Sequence, residues 1–308
     1  MENAIKYSIL IPAYNAEKYI ARSLKSVLNQ KSNYNYEIIV CDDGSTDDTA
    51  KIVNEIKNEK VRLINNDTNK GGIISRKRLI LEASGDYIVW LDADDECSLD
   101  MLSVLDEYVN NNTYDIISIP YCCVSGVERT KDNQNKCSQN NESIFQEHLL
   151  DKFFSLSLPW NLWNKVFKRE ILLKRLPPNW NFVIDDVFFT LPAFYYAQNY
   201  ISINTHSLYY YYYGIGYWTG DFYKKKREFD LDEFKKSFEA RVAEYQYNMM
   251  FLAEHNLRQK YGSQLYKACD LNSILYHLIK IADFDERECA LSILYNVFNV
   301  DIKFYYDI

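Results

Sequence analysis

Apolar and polar positions come in alternating blocks through the first hundred residues. Residues 7–11 (YSILI) are an apolar run stopped by Pro12, the pattern of a buried strand. Asn15 stands where a side-chain cap would open a helix near Ala16, and Ile20, Leu24, Val27 and Leu28 follow at helical spacing. Residues 37–41 (EIIVC) repeat the strand pattern, and Ser45 or Thr46 is placed to cap a helix carrying Ile52, Val53 and Ile56. A third strand is predicted at 61–64, a third helix at 72–83 and a fourth strand at 87–91 (YIVWL).

This alternation predicts right-handed βαβ units, hence an α/β fold with a mostly parallel, Rossmann-like sheet flanked by helices. Ligands of such sheets sit beyond the carboxyl ends of the strands. The polar loops 12–17, 42–47 and 92–96 each follow a strand directly, so they are expected to converge on one cleft and to ring it with acidic side chains.

The pattern changes after residue 100. Residues 125–147 are polar and without period, which reads as a loop or insertion. An aromatic-rich stretch follows at 160–167 (WNLWNKVF), then Asp185-Asp186 between apolar runs, then five consecutive tyrosines at Tyr209–Tyr213. From about Asp230 the spacing is helical, with Phe234, Phe238, Val242, Tyr245, Met249 and Leu252 on one face. Further helices fit 260–282 and 286–298. The expected division is an α/β domain over 1–225 and a helical C-terminal region over 226–308.

Composition narrows the classes. Of 308 residues, 47% are hydrophobic and 25% charged, which supports a packed core and excludes global disorder. A net charge of −8 removes any general attraction to nucleic acid, so no nucleic-acid partner is expected. The Cys residues form no C-x-x-C pair, which reads as a reduced intracellular protein rather than a disulfide framework or zinc site. Neither a secretory signal nor a spanning apolar run is evident, and a cytoplasmic location is expected. Tyrosine is the outlier, with 27 residues, most of them after residue 100.

The strongest local signal is Asp92-Ala93-Asp94-Asp95 at a strand end. Hard divalent cations such as Mn²⁺ or Mg²⁺ take one or two carboxylates and complete their shell from water and phosphate. Alternate residues of an extended segment share a face, so Asp92 and Asp94 point the same way. A solvated acidic turn is the alternative. A calcium loop is excluded, because its sixth and twelfth positions would be Cys97 and Ser103. Asp42-Asp43-Gly44-Ser45 after the second strand offers acceptors for an imide N–H or a ribose hydroxyl, or simply a turn with a helix cap. Asp185-Asp186 among apolar neighbours suits a general base, or a favourable pair at a helix N-terminus. Trp160, Trp163 and the tyrosine run offer sugar-stacking faces, although core packing is the commoner use of such clusters.

Residues 8–30 (SILIPAYNAEKYIARSLKSVLNQ), 37–49 (EIIVCDDGSTDDT) and 85–96 (GDYIVWLDADDE), in this order and spacing, resemble the nucleotide-sugar glycosyltransferases of family 2, with the GT-A fold. The likeness extends more loosely through 160–172 (WNLWNKVFKREIL) and 183–189 (VIDDVFF). It implies inverting transfer of a sugar from a nucleoside-diphosphate sugar, a UDP-sugar foremost. Residues 1–100 would then bind the donor and 101–225 form the acceptor side. Pro12, Ala13 and Tyr14 would line the base and ribose pocket, with Asn15 and Glu17 of the same loop in the donor set. Asp43 would accept from the uracil ring, Gly71 would belong to the donor-binding set, and Arg76 would lie near the diphosphate or order the Asp loop. Asp92 and Asp94 would be the Asp-x-Asp pair, with Asp94 nearest a Mn²⁺ or Mg²⁺ ion, Asp92 towards the ribose, Ala93 between them and Asp95 close to the donor sugar. Asp185-Asp186 would correspond to the family's Glu-Asp pair, with Asp186 the catalytic base and Asp185 the departure from it. Trp160, Trp163 and Lys165 would face the acceptor, a glycan or lipid-linked molecule of bacterial surface polysaccharide synthesis.

The basic run at Lys224–Arg227 and the aromatic C-terminal helices also allow a peripheral contact with the inner face of an anionic membrane. The alternative function is a non-catalytic sugar-nucleotide-binding or assembly module. A metal-dependent nucleotidyltransferase would need a Gly-rich phosphate loop after the first strand, and residues 12–17 (PAYNAE) supply none.

Overall fold

The computed structural model describes residues 4–110, 114–125, 141–155, 157–180, 186–213 and 231–268. The chain divides into two compact units, Met1–Tyr223 and Lys224–Ile308. The first unit is built on an eight-stranded sheet. Its strands are β1 (Ile5–Ala13), β2 (Asn35–Asp42), β3 (Val61–Asn65), β4 (Tyr87–Trp90), β6 (Ile116–Ser118), β8 (Glu142–Phe145), β9 (Lys165–Lys168) and β10 (Asn199–Ser202), in the order β3-β2-β1-β4-β9-β6-β10-β8. The pairs β1–β2, β1–β4, β2–β3 and β6–β10 are parallel. Strand β9 runs antiparallel between β4 and β6, and β8 is an antiparallel edge. A small second sheet places β11 (Tyr209–Tyr213) between β5 (Glu96–Cys97) and β7 (Tyr121–Ser125).

Helices cover the large sheet. They are α1 (Ile20–Leu28), α2 (Thr49–Glu55), α3 (Gly72–Glu82), α4 (Met101–Val109), α5 (Gln146–Phe154), α6 (Arg169–Leu173) and α7 (Asp186–Tyr196). Strands buried on both faces read as continuous apolar runs, which is why YSILI, EIIVC and YIVW show no alternation. Tyr7, Ile9, Ile11, Ile38, Val40 and Val89 share one core cluster with Ile20, Leu24 and Val27 of α1 and with Met101, Leu102 and Leu105 of α4. Helix α3 packs on β1 and β2, and the Trp90 ring meets Phe189 of α7 with centroids 6.5 Å apart.

Three local expectations are corrected. Asn15 does not cap α1. It takes φ +48, and the turn from Ala16 leads into a helix whose N-cap, Tyr19, makes no side-chain cap bond. Neither Ser45 nor Thr46 caps α2, which opens after Asp48 without a side-chain cap bond. In both cases the capping side chains bond across to the neighbouring loop instead. The polar stretch 125–147 contains the end of β7, all of β8 and the start of α5; residues 126–140 lie outside the described residues.

In the second unit the described residues form α8 (Leu231–Glu254) and α9 (Arg258–Ala268). Among the described side chains of α8, Glu244, Tyr247, Asn248, Phe251 and Leu252 are buried, so that Leu252 of the expected apolar face lies inside while Tyr245 and Met249 are half-buried. The expected helix at 260–282 is α9 as far as Ala268; its remainder and the helix expected at 286–298 lie outside the described residues. No helix among the described residues is long and apolar enough to cross a membrane.

Candidate functional site

The parallel strands β1, β2 and β4 end side by side. Ala13 pairs with Asp42, and Leu10 pairs with Trp90. The loops that follow them therefore leave the sheet at the same edge. The first two are sewn together by side chains. Thr46 N–H donates to Asn15 Oδ1 at 2.9 Å, Asn15 N–H to Ser45 Oγ at 2.9 Å, and Ala16 N–H to Thr49 Oγ1 at 2.7 Å. Glu17 joins this brace, its Oε2 accepting from Asp48 N–H at 3.1 Å and its own N–H donating to Asp47 Oδ2 at 3.1 Å. Tyr14 is left exposed at the tip, while Ala13 is buried and Pro12 half-buried beside it.

Asp43 is 5% exposed and its carboxylate is fixed by the loop before α3. Oδ1 accepts from Asn66 Nδ2 at 2.7 Å and from Lys70 N–H at 2.9 Å, and Oδ2 accepts from Gly71 N–H at 2.8 Å. An ionised carboxylate has about four acceptor sites, so one remains for a ligand N–H or hydroxyl. The approach requires glycine twice. Gly44 takes φ +69, and a Cβ there would lie 2.5 Å from the Thr68 carbonyl carbon. Gly71 takes φ +89 at the N-cap of α3.

Helix α3 then carries this loop's order to the next. Arg76 Nη2 pairs with Asp92 Oδ1 at 2.9 Å, and its guanidinium lies over the Trp90 ring at 5.1 Å. Arg76 thus sits at the Asp loop. Asp92, Ala93, Asp94 and Asp95 alternate half-buried, buried, half-buried and fully buried, so Asp92 and Asp94 present their side chains on one side. Burial and the neighbouring Asp92 carboxylate push the Asp94 carboxyl up to about 6.

Asp95, expected close to the donor sugar, is held from within. It is wholly buried, with Oδ2 accepting from Tyr209 O–H at 2.7 Å and Oδ1 from Tyr212 N–H at 2.8 Å. The turn at Asp92–Asp95, closed by Asp95 N–H donating to the Asp92 carbonyl at 3.0 Å, carries it inward, where it anchors β11. Burial, then Asp94 and Asp92, raise its carboxyl well above the usual range. Tyr209 Oη also accepts from Asp92 N–H at 3.2 Å.

A second brace comes from α1, which sequence reasoning did not single out. Arg22 donates to the Asp94 carbonyl, its Nε lies 3.1 Å from Glu96 Oε1, and its guanidinium carbon sits 3.7 Å from the Tyr212 ring centre. Tyr212 O–H donates to the same Glu96 oxygen at 2.6 Å. Ser23 Oγ donates to the Asp92 carbonyl at 3.3 Å. Nothing in the spacing of α1 marks Arg22 or Ser23, because their partners lie about seventy residues away.

The donor set suits a hard divalent cation that brings ligands of its own. Asp92 and Asp94 are two oxygen donors on one side of a turn, and among the described residues no cluster of three or more His, Cys, Asp or Glu side chains could hold a metal. That is the ligand count Mg²⁺ or Mn²⁺ uses when phosphates and water complete the shell.

Asp186 opens α7, where the helix dipole favours a carboxylate. Its Oδ1 accepts from Leu162 N–H at 3.2 Å. Asp185 lies outside the described residues. Of the three residues expected to face an acceptor, Trp163 and Lys165 are buried and Trp160 is half-buried. Trp160 Nε1 donates to the Phe153 carbonyl of α5 at 3.0 Å. Trp163 is 8% exposed and stacks on Tyr209 and Tyr211 with centroids 5.0 Å away in each case, its edge meeting Tyr121. Lys165 is fully buried. Aromatic rings and backbone cover Trp163 and Lys165, whereas Trp160 is only half-buried. The stack nonetheless links the segment that bonds Asp186 to β11, and β11 to the Asp92–Asp95 loop.

The sequence model of the family described as "Glycosyl transferase family 2" matches residues 8–176. Among curated proteins, the chain is 42% identical over 88 residues to the Escherichia coli "UDP-Glc:alpha-D-GlcNAc-diphosphoundecaprenol beta-1,3-glucosyltransferase WfgD", covering 29% of this chain and 34% of that protein. It is 30% identical over 125 residues to the Staphylococcus aureus "Poly(ribitol-phosphate) beta-N-acetylglucosaminyltransferase TarS", covering 40% of this chain and 22% of that one. The matched segments thus span about a third or less of these relatives' own length. The crystal structure of S. aureus TarS 1–349 in complex with UDP-GlcNAc superposes with a TM-score of 0.60 at 20% identity, over 80% of this chain and 67% of that one. The mostly parallel α/β sheet flanked by helices is therefore the GT-A fold.

Proposed function

The chain belongs to glycosyl transferase family 2, and from that premise we propose that it is an inverting glycosyltransferase. It moves a sugar from a UDP-sugar to a hydroxyl of a glycan or lipid-linked acceptor in bacterial surface polysaccharide synthesis. The single observation that carries this reading is the convergence of Asp43, Asp92 and Asp94 at the exits of β2 and β4, tied through Trp163 and β11 to the segment that bonds Asp186. The relatives support the substrate class: one is named for UDP-glucose and a diphosphoundecaprenol-linked sugar, and TarS has been crystallised with UDP-GlcNAc and with UDP.

The chain's residues divide the work. The 12–17 loop forms one wall for the nucleoside, with Tyr14 exposed on it. The remaining acceptor site of Asp43 takes a base N–H. Asp92 and Asp94 would hold a Mn²⁺ or Mg²⁺ ion, which would supply positive charge to offset that on the departing diphosphate. Arg76 keeps Asp92 aimed, and Arg22 keeps the Asp94 backbone in place. Asp186 takes the proton from the attacking hydroxyl. One base and one displacement invert the anomeric centre, as in inverting hydrolysis with a sugar hydroxyl in the place of water.

The test is donor-dependent release of nucleoside diphosphate in the presence of acceptor extract. Asp186→Asn is expected to lose at least ~100-fold, the usual contribution of a general base. Wild-type turnover in that variant would remove Asp186 from the role. Donor binding with no transfer to any acceptor would favour a non-catalytic binding module.

A further inference from the structure

Lys165 is wholly buried at the start of β9. Its Nζ donates to the Asn161 carbonyl at 2.6 Å and to Asn164 Oδ1 at 2.8 Å. Both acceptors are neutral, and a buried ammonium so placed is costly. Burial pulls the amine down to about 7, and among the described residues the charge opposing that pull is Asp186.

The Asn161 carbonyl and the Leu162 N–H belong to one peptide unit. The carbonyl accepts from Lys165, and the N–H donates to Asp186 Oδ1 at 3.2 Å. No cis peptide occurs among the described residues, and in a trans peptide these two groups point in opposite directions. The unit therefore lies between ammonium and carboxylate with its dipole aligned to both. Hydrogen bonds in such a chain polarise one another.

We propose that Lys165 is a positioning residue for Asp186: through the 161–162 peptide its buried ammonium holds the carboxylate in place and favours its ionised form. Lys165 has no exposed surface with which to meet a substrate. The role assigned to that carboxylate rests on the reading of Asp186 as the base, whereas the coupling itself is measurable without any reaction.

Lys165→Met keeps the apolar stem and deletes the cation. The Asp186 carboxyl carbon is followed by NMR across a pH titration, with no donor present. Among the described residues Asp186 is the ionised group that faces Lys165, and Asp185 precedes it in the chain. Loss of a neighbouring cation favours the neutral acid, so the Asp186 midpoint is expected to rise by about half a unit or more. In the transfer assay the acid limb of kcat/KM moves upward by the same interval, while KM for the UDP-sugar stays within about twofold because the donor loops are untouched. If Lys165→Met does not fold, Asn164→Asp places a carboxylate in the ammonium's own cage and shifts the midpoint in the same direction. An unchanged Asp186 midpoint in whichever variant folds overturns the proposal. A midpoint that shifts in a protein that transfers no sugar keeps the coupling and sinks the glycosyltransferase reading instead, so the two failures are distinct.

Discussion

Asp94 sits where acidic charge is most crowded. Its carboxyl is raised to about 6, first by burial and then by Asp92. A carboxyl raised on folding binds its proton more tightly in the folded chain than in the unfolded one. The stability it contributes is complete below about pH 4, the unfolded value, and is lost as pH rises through about 6. In the metal-free protein, Asp94→Asn should therefore flatten the fall in unfolding free energy between pH 4.5 and 7, measured by urea titration. The same proton competes with a cation. Calorimetric titration of Mn²⁺ in the presence of UDP should show affinity falling below about pH 6, by up to tenfold per unit for one displaced proton. An affinity flat from pH 7 to 5 would separate Asp94 from the metal. Asp92 and Asp94 are legible as a pair from their spacing at a strand end, although the structure holds them in a turn rather than in extended chain. Asp95 reads from sequence as a third member, and only its two bonds to β11 reveal an anchor.

At the level of elements, the site depends on short segments held from outside. Gly44 must take φ +69 against the backbone of Thr68. Gly44→Ala is expected to destabilise the protein by more than about 1 kcal/mol, through backbone strain and the clash with Thr68, and to weaken UDP binding because Asp43 shares the displaced loop. Unchanged thermal stability would show that the loop can move aside. Strand β11 is held by Asp95 through Tyr209 O–H. Tyr209→Phe leaves a fully buried carboxylate short of a donor and should cost about 1–3 kcal/mol, read by denaturant unfolding. The tyrosine run was conspicuous in the sequence, but its work was not. Alternation in β11 sends Tyr209 and Tyr211 to the Trp163 stack and Tyr212 to Glu96. Sugar stacking and core packing differ only in what lies across from the ring, and that comes from residues forty or more positions away.

At the level of the whole molecule, the acidic excess lies almost wholly in the first unit, before residue 224. A nucleoside diphosphate approaching that unit meets net repulsion unless a cation intervenes. Without divalent ions, raising NaCl from ~0.05 to ~0.3 M shortens the screening length from above 10 Å to below 8 Å, and UDP association should become faster. With saturating Mn²⁺ this gain should shrink or reverse, as measured by stopped-flow. A metal-free rate that falls with salt would place a net positive field at the cleft. This prediction depends on totals of charge, which the sequence supplies in full.

The sequence by itself determined the βαβ alternation, the exits of β1, β2 and β4, the acidic loops at those exits and the family motifs that run through them. These are local or periodic features, and short-range sterics and apolar patterning write them directly into the chain. Tertiary structure decided which carboxylates face outward, that Arg22 and Ser23 join Arg76 in bracing the Asp loop, and that Trp163 and Lys165 lie inside. It also decided that Asn15, Ser45 and Thr46 join two loops instead of capping helices. A polar side chain near a helix start satisfies whichever donor or acceptor packing brings within about 3 Å, and that partner is chosen by sheet register rather than by neighbours in the chain.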